Sequence, residues 1–418
     1  MEIKYRYYAS LLRRRMTKPF VHLLFGARQI GKSTLIRGLI PKDATIIDLS
    51  DPRERARFAA NPGLFIDLCR SFPRGDGARY IFVDEAQTVP AVFDAVQNLY
   101  DGDKDRWRFI LCGSSARRLR ASGANLLPGR SVRHALHPLV TEEYQADYAE
   151  ARGTPLIRLD GLESDEVGER PLFPRRGLEN RLVFGDLPGI ALLDDDADRA
   201  EILKSYATAY LEEEIRRETI IKDYGYFLRF LAFAAGDSGG IVNLAGVSRE
   251  TGVAAPTVKA YYQLLEDMFV GFSVPAFSGS ARKSALSSPR FFFFDNGVRN
   301  AAAGLPLVEA TVNAAPGALF EHFVATQLWR KLGYGASGGL SYFRTSDGAE
   351  VDFIVELNGE LIPIEVKWTE NPSRKDARHL RTFISEHSGR CARGYVVSRC
   401  PYALNLDSGI TAIPWWMI

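Results

Sequence analysis

The eight residues GARQIGKS, Gly26 to Ser33, constrain this chain more than any other stretch. They follow a short apolar run, Val21 to Phe25, that reads as a buried strand, and they lead into a segment patterned as a helix. Gly26, Gly31, Lys32 and Ser33 satisfy every fixed position of G-x-x-x-x-G-K-[ST]. Glycine lets a backbone curl until its N–H groups converge on phosphate oxygens, the lysine adds a point charge, and the hydroxyl offers a ligand to Mg²⁺. The helix that follows brings its positive dipole end to the same place. The expected cradle is Gly26, Ala27, Arg28, Gln29, Ile30, Gly31, Lys32, Ser33 and Thr34, with ATP and Mg²⁺ as its ligands.

A chain of 418 residues exceeds what one core usually supports, so about two to four domains are expected. Lys and Arg number 53 against 51 Asp and Glu, which excludes a uniformly basic nucleic-acid coat but leaves room for local basic faces. Cys69, Cys112, Cys391 and Cys400 form no CxxC pair and read as reduced thiols. No apolar run approaches the ~20 residues of a membrane helix, and MEIKYRYYASLLRRR lacks the apolar centre of a signal peptide. The expectation is a cytoplasmic protein with no membrane contact.

Four more strands are legible downstream: Ala44–Leu49, Tyr80–Val83, Trp107–Cys112 and the run starting SVRHALHPL. A helical stretch from Pro52 to about Phe72 lies between the first two. The strand Tyr80–Val83 ends in Asp84-Glu85, a Walker B pattern. Asp84 would hold the Mg²⁺ and Glu85 would polarise the water that attacks the γ-phosphate. This order predicts a doubly wound parallel α/β sheet with its ligand at the carboxyl ends of the strands. Among Arg117, Arg118, Arg120, Arg130 and Arg133, Arg130 is the candidate for a finger reaching a nucleotide, in this chain or across a subunit interface. A surface arginine or a core-edge ion pair is an equal reading for any one of them.

GARQIGKS, IIDLSDPRER, IFVDEAQ, the LCGSSAR and LPGR pair and FGDLPGI together resemble a widespread prokaryotic AAA+ family. Its members carry a C-terminal domain related to restriction-type nucleases. The resemblance implies an AAA+ P-loop ATPase core over residues 1–145 and a helical lid with a loop insertion over 146–225. A winged-helix-like domain over 226–300 and a PD-(D/E)xK nuclease-like domain over 301–418 complete it. It also implies a sensor at the end of the fourth strand, for which Ser114 and Ser115 are candidates; either serine reads equally as a helix cap.

The remaining segments carry patterns of their own. Asp195 to Glu218 is a long helical stretch with an acidic first turn, in which Leu203, Tyr206 and Tyr210 share a face. Between 240 and 275 the chain reads helix, turn at Gly252, helix, strand, the spacing of a helix-turn-helix with a wing. If this element binds DNA, Thr257, Lys259 and Tyr262 would form its exposed face with Arg249 nearby, and Arg282, Lys283 and Arg290 would meet phosphates from the wing; a packing or protein-contact module is an equal reading. The four aromatics of RFFFFD read as a buried strand. Further on, a helix carries Glu321, a strand carries Asp352, and after a turn at Asn358-Gly359 the return strand carries Glu365 and Lys367. Residues two apart on a strand share a face, so Glu365 and Lys367 join Asp352 in a D…ExK pattern. Glu321, Asp352 and Glu365 would hold Mg²⁺ or Mn²⁺, and Lys367 would orient the attacking water. SRKDARHLR, with Arg374, Lys375, Arg378 and Arg381, would follow a phosphate backbone.

Two functions follow. One is an ATP-hydrolysing machine that cleaves DNA; a homo-oligomer is compatible with either function. The other is a nucleotide-dependent switch, ATP-bound or ADP-bound, that binds a protein partner or DNA through a non-cleaving nuclease-like domain.

Overall fold

The computed structural model describes residues 3–75, 77–114, 127–145, 156, 171–210, 223–278, 287–335, 338–345 and 348–418. Internal packing divides the chain into two units. The first comprises Met1–His137, Gly161–Leu172 and Asp267–Phe269; the second comprises Pro138–Asp160, Phe173–Glu266 and Val270–Ile418.

The first unit is a five-stranded parallel sheet in the order β2-β3-β4-β1-β5. Its strands are β1 (Val21–Phe25), β2 (Thr45–Asp48), β3 (Arg79–Asp84), β4 (Trp107–Gly113) and β5 (Ser131–Ala135). Leu23 lies opposite Leu111 on one side and Arg133 on the other. The apolar runs of β1, β3 and β4 are continuous because these strands are covered on both faces; Leu23, Leu24, Ile81, Phe82 and Val83 have no exposed surface, whereas Ile46 on the edge strand β2 is exposed. The helices are α1 (Ala9–Met16), α2 (Lys32–Leu39), α3 (Pro52–Ala60), α4 (Gly63–Ser71) and α5 (Ala91–Gly102). The single helix expected from Pro52 to Phe72 is two. Pro62 disfavours helical geometry at the residue before it, and Asn61 leaves the helix at φ −144°, ψ 88°. Asp51 caps α3 by accepting from the Arg53 N–H at 2.8 Å.

In the second unit come α6 (Leu178–Phe184), α7 (Asp196–Ser205), α8 (Tyr224–Gly236), α9 (Leu244–Thr251) and α10 (Ala255–Asp267). The antiparallel pair β6 (Gly271–Val274) and β7 (Arg290–Phe293) follows, then α11 (Asn296–Ala302) and α12 (Pro316–Gly333). Asp195 caps α7 as the acidic first turn suggested. The helix ends early, passing into a π turn over Tyr206–Tyr210, and residues 211–218 of the expected helix lie outside the described residues. A six-stranded mixed sheet closes the unit, in the order β12-β13-β11-β10-β9-β8. Its strands are β8 (Gly338–Arg344), β9 (Glu350–Leu357), β10 (Glu360–Val366), β11 (Gly394–Ser398), β12 (Leu404–Asp407) and β13 (Ile410–Pro414). Asn358 and Gly359 carry the two positive φ values, 50° and 83°, of a tight hairpin turn between β9 and β10. Helix α13 (Arg378–Glu386) then returns the chain so that β11 joins β10 in parallel.

The FGDLPG segment is the polar knot of this unit. The Asp186 carboxylate accepts from Arg181 Nε at 2.8 Å, Arg330 Nη1 at 2.7 Å and the Tyr144 hydroxyl at 3.1 Å. Burial alone would raise its pKa, but the two guanidinium groups outweigh that and hold it below the usual carboxylate range. The Asp186 N–H donates to Asp295 Oδ2 at 2.7 Å. A Cβ on Gly185, at φ 68°, would lie 2.0 Å from the same Asp295 carboxylate, so only glycine fits between them. Among the described residues, no helix is long and apolar enough to cross a membrane.

Candidate functional site

At the carboxyl end of β1 the chain turns at Gly26, φ 147°, where a Cβ would stand 2.3 Å from the Leu136 carbonyl oxygen. Gln29 and Gly31 also take positive φ, 60° and 84°, and coil the loop back into the start of α2. Lys32 is buried, its Nζ donating to the carbonyls of Gly26 at 2.9 Å and Ala27 at 2.8 Å. Burial pulls its pKa down, while Cys112, Glu85 and Asp84 close by resist. Burial raises Asp84, with the Ser33 side chain and the Glu85 N–H, which donates to Asp84 Oδ1 at 3.1 Å, pulling the other way. A serine hydroxyl at the start of α2 and a carboxylate at the end of β3 are the hard oxygen donors that Mg²⁺ takes, so the loop residues fit a Mg²⁺–nucleotide. Arg6 belongs to this loop as well. Its guanidinium is buried and donates to the Ile30 and His137 carbonyls, each at 2.7 Å.

Glu85, the residue after Asp84, sits in the left-handed region at φ 52°, a conformation that non-glycine residues adopt seldom and often at functional sites. Its Oε2 accepts from Gln87 Nε2 at 2.6 Å and lies 4.0 Å from Arg28 Nη2. The same Gln87 Nε2 donates to Ser114 Oγ at 3.1 Å. Ser114, at the end of β4, is buried; Ser115, Arg117, Arg118 and Arg120 lie outside the described residues. Arg130 requires a correction. It precedes Ser131, which pairs with Val21 at the amino end of β1, whereas GARQIGKS follows the carboxyl end. Its Nε is bound to Asp101 at 2.5 Å. It does not reach this chain's own phosphate loop, because the length of the sheet separates them.

The acid pair of the second unit lies on the β9–β10 hairpin. Phe353 pairs with Ile364, and Asp352 and Glu365 are the adjoining residues of β9 and β10 just beyond that pair. The Val366 N–H donates to Asp352 Oδ2 at 2.8 Å, and Lys367 Nζ donates to Glu365 Oε1 at 2.7 Å. Burial, then the neighbouring Glu321 and Glu365, push Asp352 well above the usual carboxylate range. Burial raises Glu365 too, against the Lys367 hydrogen bond. Glu365 Oε2 is buried with no hydrogen-bond partner. Crowded acids with an orphaned oxygen are relieved by a hard cation, so Asp352 and Glu365 fit one.

Glu321 departs from the expectation. Its carboxylate is bound by Arg290 Nη2, whose own Nε donates to the Gly239 carbonyl at 2.6 Å. Arg290 is therefore a buried partner of the acid, not an exposed phosphate contact of a wing. With Glu321 held this way, no group of three or more His, Cys, Asp or Glu among the described residues is disposed to hold a metal ion.

The family model described as AAA domain matches residues 18–145. The chain carries an AAA-type P-loop domain. Two models described as domains of unknown function match residues 175–309 (DUF8612) and 316–418 (DUF4143). An uncharacterized protein of Mycobacterium tuberculosis is 27% identical over 99% of this chain and 84% of its own length, as is one of Mycobacterium bovis. An uncharacterized protein of Methanocaldococcus jannaschii is 23% identical over 88% of this chain and 79% of its own. Among solved structures, a DNA polymerase III gamma-subunit-related protein of Thermotoga maritima aligns at 10% identity, covering 62% of this chain and 97% of that one. Its TM-score of 0.26 is too low to carry an inference.

Downstream of the AAA domain, the helix–turn–helix order is present, with Gly252 at φ 72° between α9 and α10 and Val258, Leu264 and Leu265 fully buried. Tyr262 is not on the exposed face. It is buried, edge-on to Phe230 at 4.9 Å and to Phe291 at 4.8 Å. Lys259 and Arg249 are exposed, Thr257 is half-buried, and Arg282 and Lys283 lie outside the described residues. Arg374 and Lys375 precede α13 rather than belonging to it, and Arg374 and Arg381 share Asp407. Arg6, Gln87 and Arg290 are the site residues that sequence reasoning missed or misplaced; only Gln87, inside IFVDEAQ, stood beside a recognised motif.

Proposed function

We propose that the AAA domain hydrolyses ATP, and that the second unit uses Asp352, Glu365 and Lys367 to cleave DNA with a divalent cation. The first half rests on one observation: Lys32 is buried against the Gly26 and Ala27 carbonyls, in a loop that turns through positive φ at Gly26 and Gly31. Lys32 would bind the phosphates, Ser33 and Asp84 would hold Mg²⁺, and Glu85 would accept the proton of the attacking water. The metal, when bound, supplies charge neutralisation at the phosphoryl oxygens. Support for the second half is the hairpin that sets Asp352, Glu365 and Lys367 together, with one Glu365 oxygen left without a partner.

The Arg290–Glu321 bond favours a second reading, a nucleotide-driven switch whose nuclease-like unit binds DNA or a protein without cutting. Parallel assays separate the readings. Lys32→Ala abolishes ATP turnover. Plasmid nicking with Mg²⁺ or Mn²⁺ is lost in Glu365→Ala and Lys367→Ala. A wild-type protein that hydrolyses ATP yet leaves every DNA and RNA form intact with both metals leaves the switch.

A further inference from the structure

We infer that Gln87 is a positioning residue for ATP hydrolysis, one amide nitrogen fixing Glu85 and Ser114 as a pair. The inference rests on the ATPase reading above. Gln87 lies in a single 3₁₀ turn, Ala86–Thr88, immediately after Glu85, and is buried. The turn is pinned by the Thr88 hydroxyl, which donates to the Glu85 carbonyl at 2.8 Å. An amide nitrogen has two hydrogens and no lone pair to offer. Here one goes to Glu85 Oε2 at 2.6 Å and the other to Ser114 Oγ at 3.1 Å. The carboxylate, which only accepts, decides which way round the amide stands.

Two polarities follow. Glu85 is held as an acceptor through Oε2, leaving Oε1 for a water proton. Ser114 receives a hydrogen bond, so its own O–H is left to donate, and a phosphoryl oxygen is the acceptor such a site would bring. The Gln87 Oε1 makes no hydrogen bond and lies 2.6 Å from where a Cβ on Gly113 would stand. Glycine at 113 is thus what admits the amide in this orientation. A buried amide oxygen without a partner is destabilising, and the position makes sense if the nitrogen's two bonds are needed.

The test is steady-state ATP turnover with equilibrium nucleotide binding on the full chain. Gln87→Leu should lower kcat about tenfold or more while the ATP dissociation constant stays within about twofold. Gln87→Asn, whose shorter amide cannot span both partners, should behave alike and covers the case in which the leucine variant fails to fold. Adding Ser114→Ala to either variant should cost nothing further, because Ser114 is no longer oriented. Variants that keep kcat within twofold of wild type, or a Ser114 effect that adds in full, overturn the inference while Lys32→Ala remains dead. A wild type without turnover, or a Lys32→Ala protein that keeps it, overturns the ATPase reading and this one together.

Discussion

Asp186 shows what single residues do in this chain. Two guanidinium groups share its carboxylate, and all three side chains are nearly or fully buried. Replacing one partner leaves a buried charge uncompensated, which costs about 3–5 kcal/mol. Arg330→Met, measured by urea unfolding of the full chain, should lower stability by that order. The FGDLPG motif was visible in the sequence, but its partners Asp295 and Arg330 lie more than a hundred residues downstream, where no spacing rule points to them. Lys32, Ser33 and Asp84 were legible for the opposite reason. Their geometry is set by β1, the loop after it and the end of β3, and two short motifs spell out each step. Arg290 misled because a lone arginine beside a turn looks exposed until its acid, 31 residues away, is known.

At the scale of elements, α1 is strapped to the sheet by a chain of side chains with one direction. The Lys18 carbonyl can only accept, so His22 Nε2 donates to it at 3.4 Å and His22 Nδ1 must accept. His134 Nε2 then donates to His22 at 3.0 Å, Tyr8 donates to His134 Nδ1 at 2.8 Å, and Arg15 donates to Tyr8 at 3.2 Å. Both imidazoles must be neutral for this order to hold. Burial lowers His22 to about 4 and His134 to about 3, from 6.5. The unfolded chain therefore binds more protons below pH 6.5, and stability present above that value is lost as pH falls toward 4. Circular dichroism should show the unfolding free energy declining across this window, with a shallower decline in His134→Gln. A run of charge such as Arg13–Arg15 is ordinarily a solvated face. That holds for Arg13 and Arg14, which are exposed, but not for Arg15, which ends the strap. The helix break at Asn61-Pro62 was legible in principle, since the proline stood in plain view.

For the molecule as a whole, strand order along the AAA domain was readable because β1, β3 and β4 are continuous apolar runs that each end in a glycine or polar signal. The hairpin of the second unit was equally plain, through its Asn-Gly turn. What composition and spacing did not convey is how widely separated segments of the second unit depend on each other. Residues 175–309 and 316–418 match different family models, which invites a cut near 310–315. Arg330 and Gln327 lie on one side of that cut, with Asp186 and Asp295 on the other. A fragment of residues 316–418 should bind a hydrophobic dye and lack near-ultraviolet circular dichroism, whereas one beginning at residue 138 should not. Whatever chemistry the last hundred residues perform, they travel with half a socket. Grafted onto a foreign chain they would carry stranded cations into their own interior, and a silent assay on such a graft would report misfolding rather than the absence of an activity.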